Sequence, residues 1–315
     1  MWKPIRSLSV VALLLTAVYA HGNTSDPIAP QTLGPQWRGE VIGEHRYHTV
    51  TDSRQTLMEL ARDKRLGYNN VKNANPGIDP WLPSPGQTVL LPYASILPVD
   101  AVSGITINLA EMRLYHVWKS EGKIMARVYP LGIGSEGTDS PTGRFSILNK
   151  VENPTWTVPL SIRHERPGMP TSVPPGPANP LGKYWMAFST AGYGIHGTNK
   201  PLGVGRRVSH GCIRLYPQDI KELFYRVPVG TEVLIIDTPV KVGRKGEVLF
   251  LEVHLQEGQK TDFASLRREI VRQARLLEWN GLLNWDMIEE IIRQNRGIPQ
   301  PISIATPSSE ATVRR

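Results

Sequence analysis

At 315 residues the chain has room for one large domain or two to three smaller ones, and 40% hydrophobic with 20% charged residues is a globular composition that can build a sizeable core. Thirty-six Lys and Arg against 28 Asp and Glu give a net charge of +8, which suits an acidic environment or substrate. The charges are scattered, and no dense basic run with interleaved aromatics occurs, so nucleic acid is excluded as a partner.

Residues 1–20 read as a secretory signal peptide. Lys3 and Arg6 form a positive start, Leu8 to Val18 an apolar stretch, and Val18-Tyr19-Ala20 a small-residue cleavage site. The apolar run is shorter than the roughly 17–25 residues of a spanning helix, so no membrane span is expected once the signal is removed. No cysteine lies near the cleavage site, which excludes a lipid anchor there. Residues 21–45, with Pro27, Pro30 and Pro35 and little periodicity, read as an extended linker or first strand.

Residues 46–93 read as a compact β-α-α-β unit. Tyr47-His48-Thr49-Val50 alternates like a strand, Ser53 can cap a helix carrying Leu57, Leu60 and Ala61, and Gly67 would end it. A second short helix through Val71 and Ala74 breaks at Asn75-Pro76-Gly77, and Val89-Leu90-Leu91 closes the unit as a strand. With Leu82-Pro83-Ser84-Pro85-Gly86-Gln87, these stretches resemble a LysM domain, which implies binding to N-acetylglucosamine-containing glycan strands.

A domain spanning 99–238 follows the short connection at Ile96 to Asp100. Ile105 to Asn108 and Arg113 to Val117 flank a tight turn at Ala110-Glu111, and Lys123 to Tyr129 is a third strand-like run, which together predict an antiparallel sheet. Leu131-Gly132-Ile133-Gly134 and Ser140-Pro141-Thr142-Gly143 read as loops leading into a strand at Phe145 to Leu148. Residues 153–182 are rich in proline and glycine, and with Trp156, Arg163, His164 and Arg166 they read as a substrate-facing lid. Tyr184 to Phe188 reads as a strand, Pro217 to Val227 as a helix with Ile220, Leu223 and Phe224 on one face, and Thr231 to Asp237 as a buried strand. Residues 239–297 read as a structural extension: a strand at Val248 to His254, a helix capped by Thr261 or Asp262, and a second capped by Asn284. Residues 298–315 read as a disordered tail.

The chemistry centres on Cys212, the only cysteine, with His210 two residues before it and His196 sixteen before it. By residue type alone a buried inert thiol and a nucleophile fit equally well. Glycines at 194, 197, 203, 205 and 211 favour a site, because backbone amides can approach a substrate there. Export favours it further, since one cysteine cannot form an internal disulfide and an idle thiol is a liability in an oxidising compartment. In that reading Cys212 attacks a carbonyl, His196 takes and returns the proton, and amides around Gly211 and Cys212 hold the oxyanion. His210 and Arg214 would lower the thiol pKa, and Ser209, Arg206, Arg207 and Gly197 would contact substrate, the arginines through its carboxylates. Zinc is disfavoured, since His210 and Cys212 are only two residues apart and no fourth ligand has motif spacing. No metal or cofactor is therefore expected.

Ile195-His196-Gly197-Thr198, Leu202-Gly203 and Ser209-His210-Gly211-Cys212-Ile213-Arg214-Leu215, with Ser140-Pro141-Thr142-Gly143, resemble the L,D-transpeptidase catalytic domain over roughly 103–237. The resemblance implies a mainly β, sandwich-like fold and a periplasmic enzyme acting on peptidoglycan. The cysteine is acylated at the third-residue carbonyl of a tetrapeptide stem, releasing D-alanine, and the acyl group passes to an amine. Cys212 matches the nucleophile, His196 the proton carrier, and His210, Gly211 and Arg214 the supporting positions. The acceptor stays open between a second stem and a lysine of an anchored outer-membrane lipoprotein. A hydrolase of the same bond class and a non-catalytic glycan-binding wall module are the alternatives.

Overall fold

Strand Gly143–Glu152, ten residues long, carries the centre of the main sheet because it serves a different neighbour with each half. Its first residues pair antiparallel with Glu232–Ile236, and its second half pairs antiparallel with Tyr184–Phe188 across a register shift between Ile147 and Asn149. Such a bulge bends and twists one strand so that it can belong to two differently oriented halves. The molecule, seen in a computed structural model, is described over residues 26–303 except Ser53, Glu257 and 259–261. The signal peptide, the proposed caps Ser53 and Thr261, and residues 304–315 of the tail fall outside the described residues.

The nine strands run, edge to edge, as Gln31–Leu33, Lys123–Pro130, Arg113–Ser120, Gly104–Asn108, Glu232–Ile236, Gly143–Glu152, Tyr184–Phe188, Gly194–His196 and Ile213–Arg214. Pairing is antiparallel except where Gly104–Asn108 meets Glu232–Ile236 and Gly194–His196 meets Ile213–Arg214. Ile105 and Leu114 from one half and Met186 and Ile195 from the other meet in a single core. The sheet thus wraps around shared apolar side chains, as the expected mainly β fold requires. Helix α4 (Pro217–Arg226) completes this core with Ile220, Leu223 and Phe224, and Pro217 opens it where a missing N–H costs nothing. Each such side chain, fully buried, stabilises the fold by about 1.5–3 kcal/mol. Side chains alternate across a strand, so Tyr115 and Val117 face the other way, into a cluster with Leu33, Trp37 and Leu97.

Gln31–Leu33 is therefore an edge strand of the main sheet and not a linker; its register against Ile124 to Ala126 buries Leu33. Strand Arg46–Thr49, helices α1 (Leu57–Asp63) and α2 (Tyr68–Ala74) and strand Thr88–Leu91 form a βααβ unit around Leu57, Leu60, Val71 and Val89. The first helix is capped by Thr56, whose hydroxyl accepts from Glu59 N while the Glu59 carboxylate accepts from Thr56 N. That helix ends at Lys64 and Arg65, the latter at φ 54°, and Gly67 starts α2 instead of closing α1.

Beyond the main sheet, Val240–Lys245, Val248–Val253 and Gln300–Pro301 make a three-stranded sheet covered by α5 (Phe263–Leu276) and α6 (Trp285–Gln294). Asp262 and Asn284 cap these two helices. The expected tail begins too early: Ile298 and Ile302 are buried, and Ile302 N donates to Leu249 O at 2.8 Å. Among the described residues, no helix is long and apolar enough to cross a membrane. The segment 153–182, expected as a lid, folds as a short hairpin of Trp156–Thr157 against Ser172–Val173 enclosing α3 (Leu160–Glu165), with Asn179 Nδ2 donating to Pro154 O at 2.7 Å across its base.

Candidate active site

Two parallel strand ends set the positions of the site's main residues. Ile195 pairs with Ile213 and His196 with Arg214, so Cys212 enters its strand beside Gly194, two residues before His196 on the neighbouring strand. Gly194 N–H is bonded to the thiol sulfur, and the thiol faces the Gly192 carbonyl at 3.5 Å. Both histidine and cysteine are thereby held by sheet geometry and not by loop conformation alone.

His196 is buried, and its Nδ1 lies 2.6 Å from Gly197 O. A carbonyl only accepts, so Nδ1 carries the proton and Nε2 of the neutral ring keeps the lone pair. Burial, helped by the Arg214 charge, pushes the imidazole pKa down to about 3, against the backbone carbonyls of Gly197 and Leu181. Cys212 moves the other way. Burial pushes its thiol up to about 11, outweighing the opposing pull of Gly194 N–H and Arg214. The expectation that neighbouring charge leaves Cys212 acidic is corrected here: Arg214 acts in that direction, but desolvation is larger. The resting pair is a neutral thiol and a neutral imidazole.

Ser209 and Gly211 shape the turn that carries Cys212. Ser209 Oγ donates to Cys212 O at 2.6 Å and accepts from Gly211 N at 3.2 Å, and its own carbonyl receives Ser135 N, Ser135 Oγ and Thr138 Oγ1. With its hydroxyl bonded inside the loop and its side chain buried, Ser209 fastens the turn. Gly211 sits at φ 98°, and a Cβ there would stand 2.7 Å from the Tyr193 ring. Its N–H, already given to Ser209, is not open to an oxyanion.

The remaining expected contacts separate. His210 is exposed and turns Nε2 to Glu165 Oε2 at 3.1 Å, so it joins the catalytic loop to the end of α3 in the lid. Arg207 is paired with Asp139, and Arg206 points to solvent while its carbonyl receives Ile133 N at 3.1 Å. Gly197 is buried, and a Cβ on it would press within 3.2 Å of Ile220, so its lack of a side chain lets the strand end pack against α4. In the lid, Glu165 reaches the catalytic loop where the sequence pointed to His164. Its signal was weak, since one acidic residue in a loop rich in cations looks solvated.

A further contact had no sequence signal. Gly67 supplies no side chain to cap α2, and the cap comes from the segment between the two motifs: Tyr68 N donates to Val204 O at 3.4 Å and Asn69 N to Gly205 O at 3.3 Å. Gly205, at φ 81°, is required because a Cβ would lie 2.1 Å from Tyr68 N. Arg65 Nε to Asp219 Oδ1 at 2.8 Å and Tyr216 OH to Leu66 O at 2.9 Å extend the seam along α4.

Comparison with known proteins falls on this same region. A family model, YkuD, the L,D-transpeptidase catalytic domain, matches residues 103–235. The chain is 39% identical over 237 residues to the probable L,D-transpeptidase YcfS of Escherichia coli (strain K12), covering 72% of this chain and 73% of that one. It is 40% identical over 221 residues to the probable L,D-transpeptidase YbiS of the same strain, covering 68% and 71%. Against the probable L,D-transpeptidase ErfK/SrfK of Salmonella typhimurium it is 36% identical over 263 residues, covering 80% and 84%. Among solved structures, the catalytic domain of the E. faecium L,D-transpeptidase is 30% identical over 43% of this chain and 97% of that one, with a TM-score of 0.33.

Proposed function

The chain belongs to the L,D-transpeptidase family, and from that premise we propose that Cys212 is the nucleophile of a periplasmic enzyme that acylates itself on a peptidoglycan tetrapeptide stem and passes the acyl group to an amine. One observation carries the assignment of roles. The Nδ1 of His196 is committed to Gly197 O, which leaves Nε2 as the base on the strand beside Cys212.

A thiol held near pKa 11 and an imidazole held near 3 do not exchange a proton at rest. The proton moves as sulfur attacks the third-residue carbonyl, when charge developing on the imidazole is offset by charge developing on oxygen. With Gly211 N–H given to Ser209, the Cys212 N–H is left as the loop donor for the oxyanion. The C–N bond to the terminal D-alanine breaks, and the leaving amine takes the proton from Nε2. The thioester then meets an amine, the new amide forms, and the thiol is restored. Ser209 and Gly211 position the nucleophile, Arg214 biases both titrating groups, and Glu165 with His210 fastens the lid over the loop. The βααβ unit, as a LysM-like module, holds the enzyme on glycan.

Incubating the protein with tetrapeptide muropeptides is expected to give an acyl adduct on Cys212 by mass spectrometry, with loss of D-alanine and no adduct in Cys212→Ala. A folded wild-type protein that forms no adduct but binds glycan would replace this reading with a binding module. Release of free acid alone, whatever amine is supplied, would make the protein a hydrolase.

A further inference from the structure

A polar cleft of about 1250 Å³ opens where the βααβ unit, the catalytic sheet and the C-terminal extension meet. One wall is α2 and the turn after it, with Asn69 and Asn73; the far wall brings Gln256 and Gln294 from the extension. The floor is Met112, in the turn between Gly104–Asn108 and Arg113–Ser120, and Ile133, in a short strand paired with Arg207–Ser209. The cleft ends at the catalytic loop. Asp139 and Arg207 line that end, and Asp139 O lies 3.2 Å from where a Cβ on Gly211 would stand, next to Cys212. The lid meets the same loop through a different residue, Glu165 on His210.

Two flanks suit a reaction with two substrates. While the acyl donor remains attached to sulfur, the second substrate needs an approach the donor does not occupy. The chemistry of the cleft selects what comes. In a chain of net charge +8, its loop end carries Glu136, Asp139 and Asp237 against Arg207, which Asp139 already holds, while Lys72 is the cation of the α2 wall. Among the described residues neither Glu136 nor Asp237 forms an ion pair, and burial raises the Asp237 carboxyl above its usual range although the Arg207 charge already pulls it down, a pull an arriving cation would add to. Gln294 Nε2 is given to Glu290 and Asn69 Nδ2 faces Met112, while the Asn73 and Gln256 carboxamides, one on each wall, match the donors and acceptors of a peptide backbone. Among the described residues no Trp, Tyr or Phe lines the cleft, so the stacking faces that sugar rings favour are missing.

We infer that this cleft is the acceptor site, taking an extended peptide whose side-chain ammonium is drawn to Glu136 and Asp237 beside the catalytic loop. This rests on the acyl-transfer reading above. The ammonium loses one proton to water, and the amine attacks the thioester carbonyl. The C–N bond forms as the C–S bond breaks, and the second amine proton passes through His196 to the leaving sulfur. The α2 wall makes the N-terminal unit part of the transfer site, held there by its cap on Val204 and Gly205.

The test uses the full chain, a tetrapeptide donor and a short lysine peptide as acceptor. In E136Q/D237N the KM for the lysine peptide is expected to rise about tenfold while the limiting transfer rate is kept, and Asn73→Trp, which fills the cleft from the α2 side, should raise it as well. Calorimetric titration of Cys212→Ala with the same peptide should show salt-sensitive binding that the added E136Q/D237N changes abolish. Unchanged KM in both variants, in proteins that melt like wild type, overturns the inference. So does loss of N-acetylglucosamine-oligomer binding in these variants with peptide transfer intact, which would make the cleft a glycan groove. Failure of the wild type to form the Cys212 adduct would instead sink the catalytic reading, and the titration on Cys212→Ala would still decide the cleft.

Discussion

Two buried polar regions of this molecule respond to burial in opposite ways. At the catalytic loop, Cys212 and His196 are both pushed to their neutral forms. At the junction of the three structural units, Glu111, Arg113, Lys241 and Glu252 are nearly inaccessible yet arranged as ions: Lys241 Nζ lies 2.6 Å from Glu111 and 3.0 Å from Glu252, and Arg113 bonds both carboxylates. Ser95, Tyr115 and His254 fill the remaining hydrogen-bond positions. The Glu252 carboxyl is held well below its usual range because Lys241 and Arg113 outweigh its desolvation. Burial alone therefore fixes neither outcome. A partner of opposite charge keeps a group ionised, and its absence leaves a group neutral until chemistry demands otherwise.

Removing a partner from the junction should break the comparison most severely. Lys241→Met leaves Glu111 and Glu252 sharing Arg113 alone, a buried uncompensated charge costing about 3–5 kcal/mol. Chemical denaturation should show this loss, and Lys241→Met/Glu252→Gln should recover part of it by removing the surplus charge. A single substitution no more disruptive than an ordinary surface change would mean that the junction is wetter and looser than its geometry.

None of that junction is legible in the sequence. Lys241 and Glu252 sit among Val240, Val242, Leu251 and Val253, where alternation reads as one buried and one solvated face. Both faces become buried only because Ser95, Arg113 and Tyr115 arrive from elsewhere in the chain. Strand Val240–Lys245 escaped for the same reason, its Gly243 and three basic residues masking a short β pattern. The polar stretch from 298 onward reads as a tail, yet Pro301 stands in an outer strand, where a missing N–H is tolerated. The pair of Cys212 and His196, in contrast, could be read directly, since glycines, histidines and the lone cysteine cluster within one stretch. What the stretch did not reveal was the direction of the pKa shifts, which depend on how deeply the sheet buries it.

Acid should separate the two regions. His196 is lowered to about 3, and His45 and His116 to about 4, all chiefly by burial. A folded pKa below the unfolded value of about 6.5 means that the unfolded chain binds more protons between them, so this stability is present above pH 6.5 and is lost as pH falls towards 3–4. Each histidine contributes a slope of about 1.4 kcal/mol per pH unit in that window. The Glu252 contribution has the same sign but starts only below about pH 4.5. Asp219, raised to about 6, opposes both, since its contribution is lost as pH rises through that value. Melting temperature should therefore fall from pH 6.5 downward, and His196→Asn should lessen the slope over the whole window from about pH 6.5 to about 3, leaving the parts due to His45, His116 and Glu252. An identical slope in wild type and variant would mean that His196 is protonated in the folded protein, contrary to its burial.

The smallest expected change in stability tests whether the catalytic loop depends on internal hydrogen bonds as the junction depends on ion pairs. Ser209→Ala removes the hydroxyl that joins Gly211 N to Cys212 O, at a cost of about 1 kcal/mol for neutral bonds beside a partly exposed loop. Its effect on acylation should exceed its effect on folding. Once Gly211 N and Cys212 O are released, the turn that holds the Cys212 amide loosens, and losing aligned donation to the oxyanion costs on the order of tenfold or more in rate. Single-turnover acylation by mass spectrometry, measured beside the melting temperature, gives both quantities from one variant. A slow but nearly fully stable Ser209→Ala enzyme would establish that the loop's hydrogen bonds are kept for alignment. Equal losses in rate and stability would instead make Ser209 another structural contact, no different in kind from Lys241.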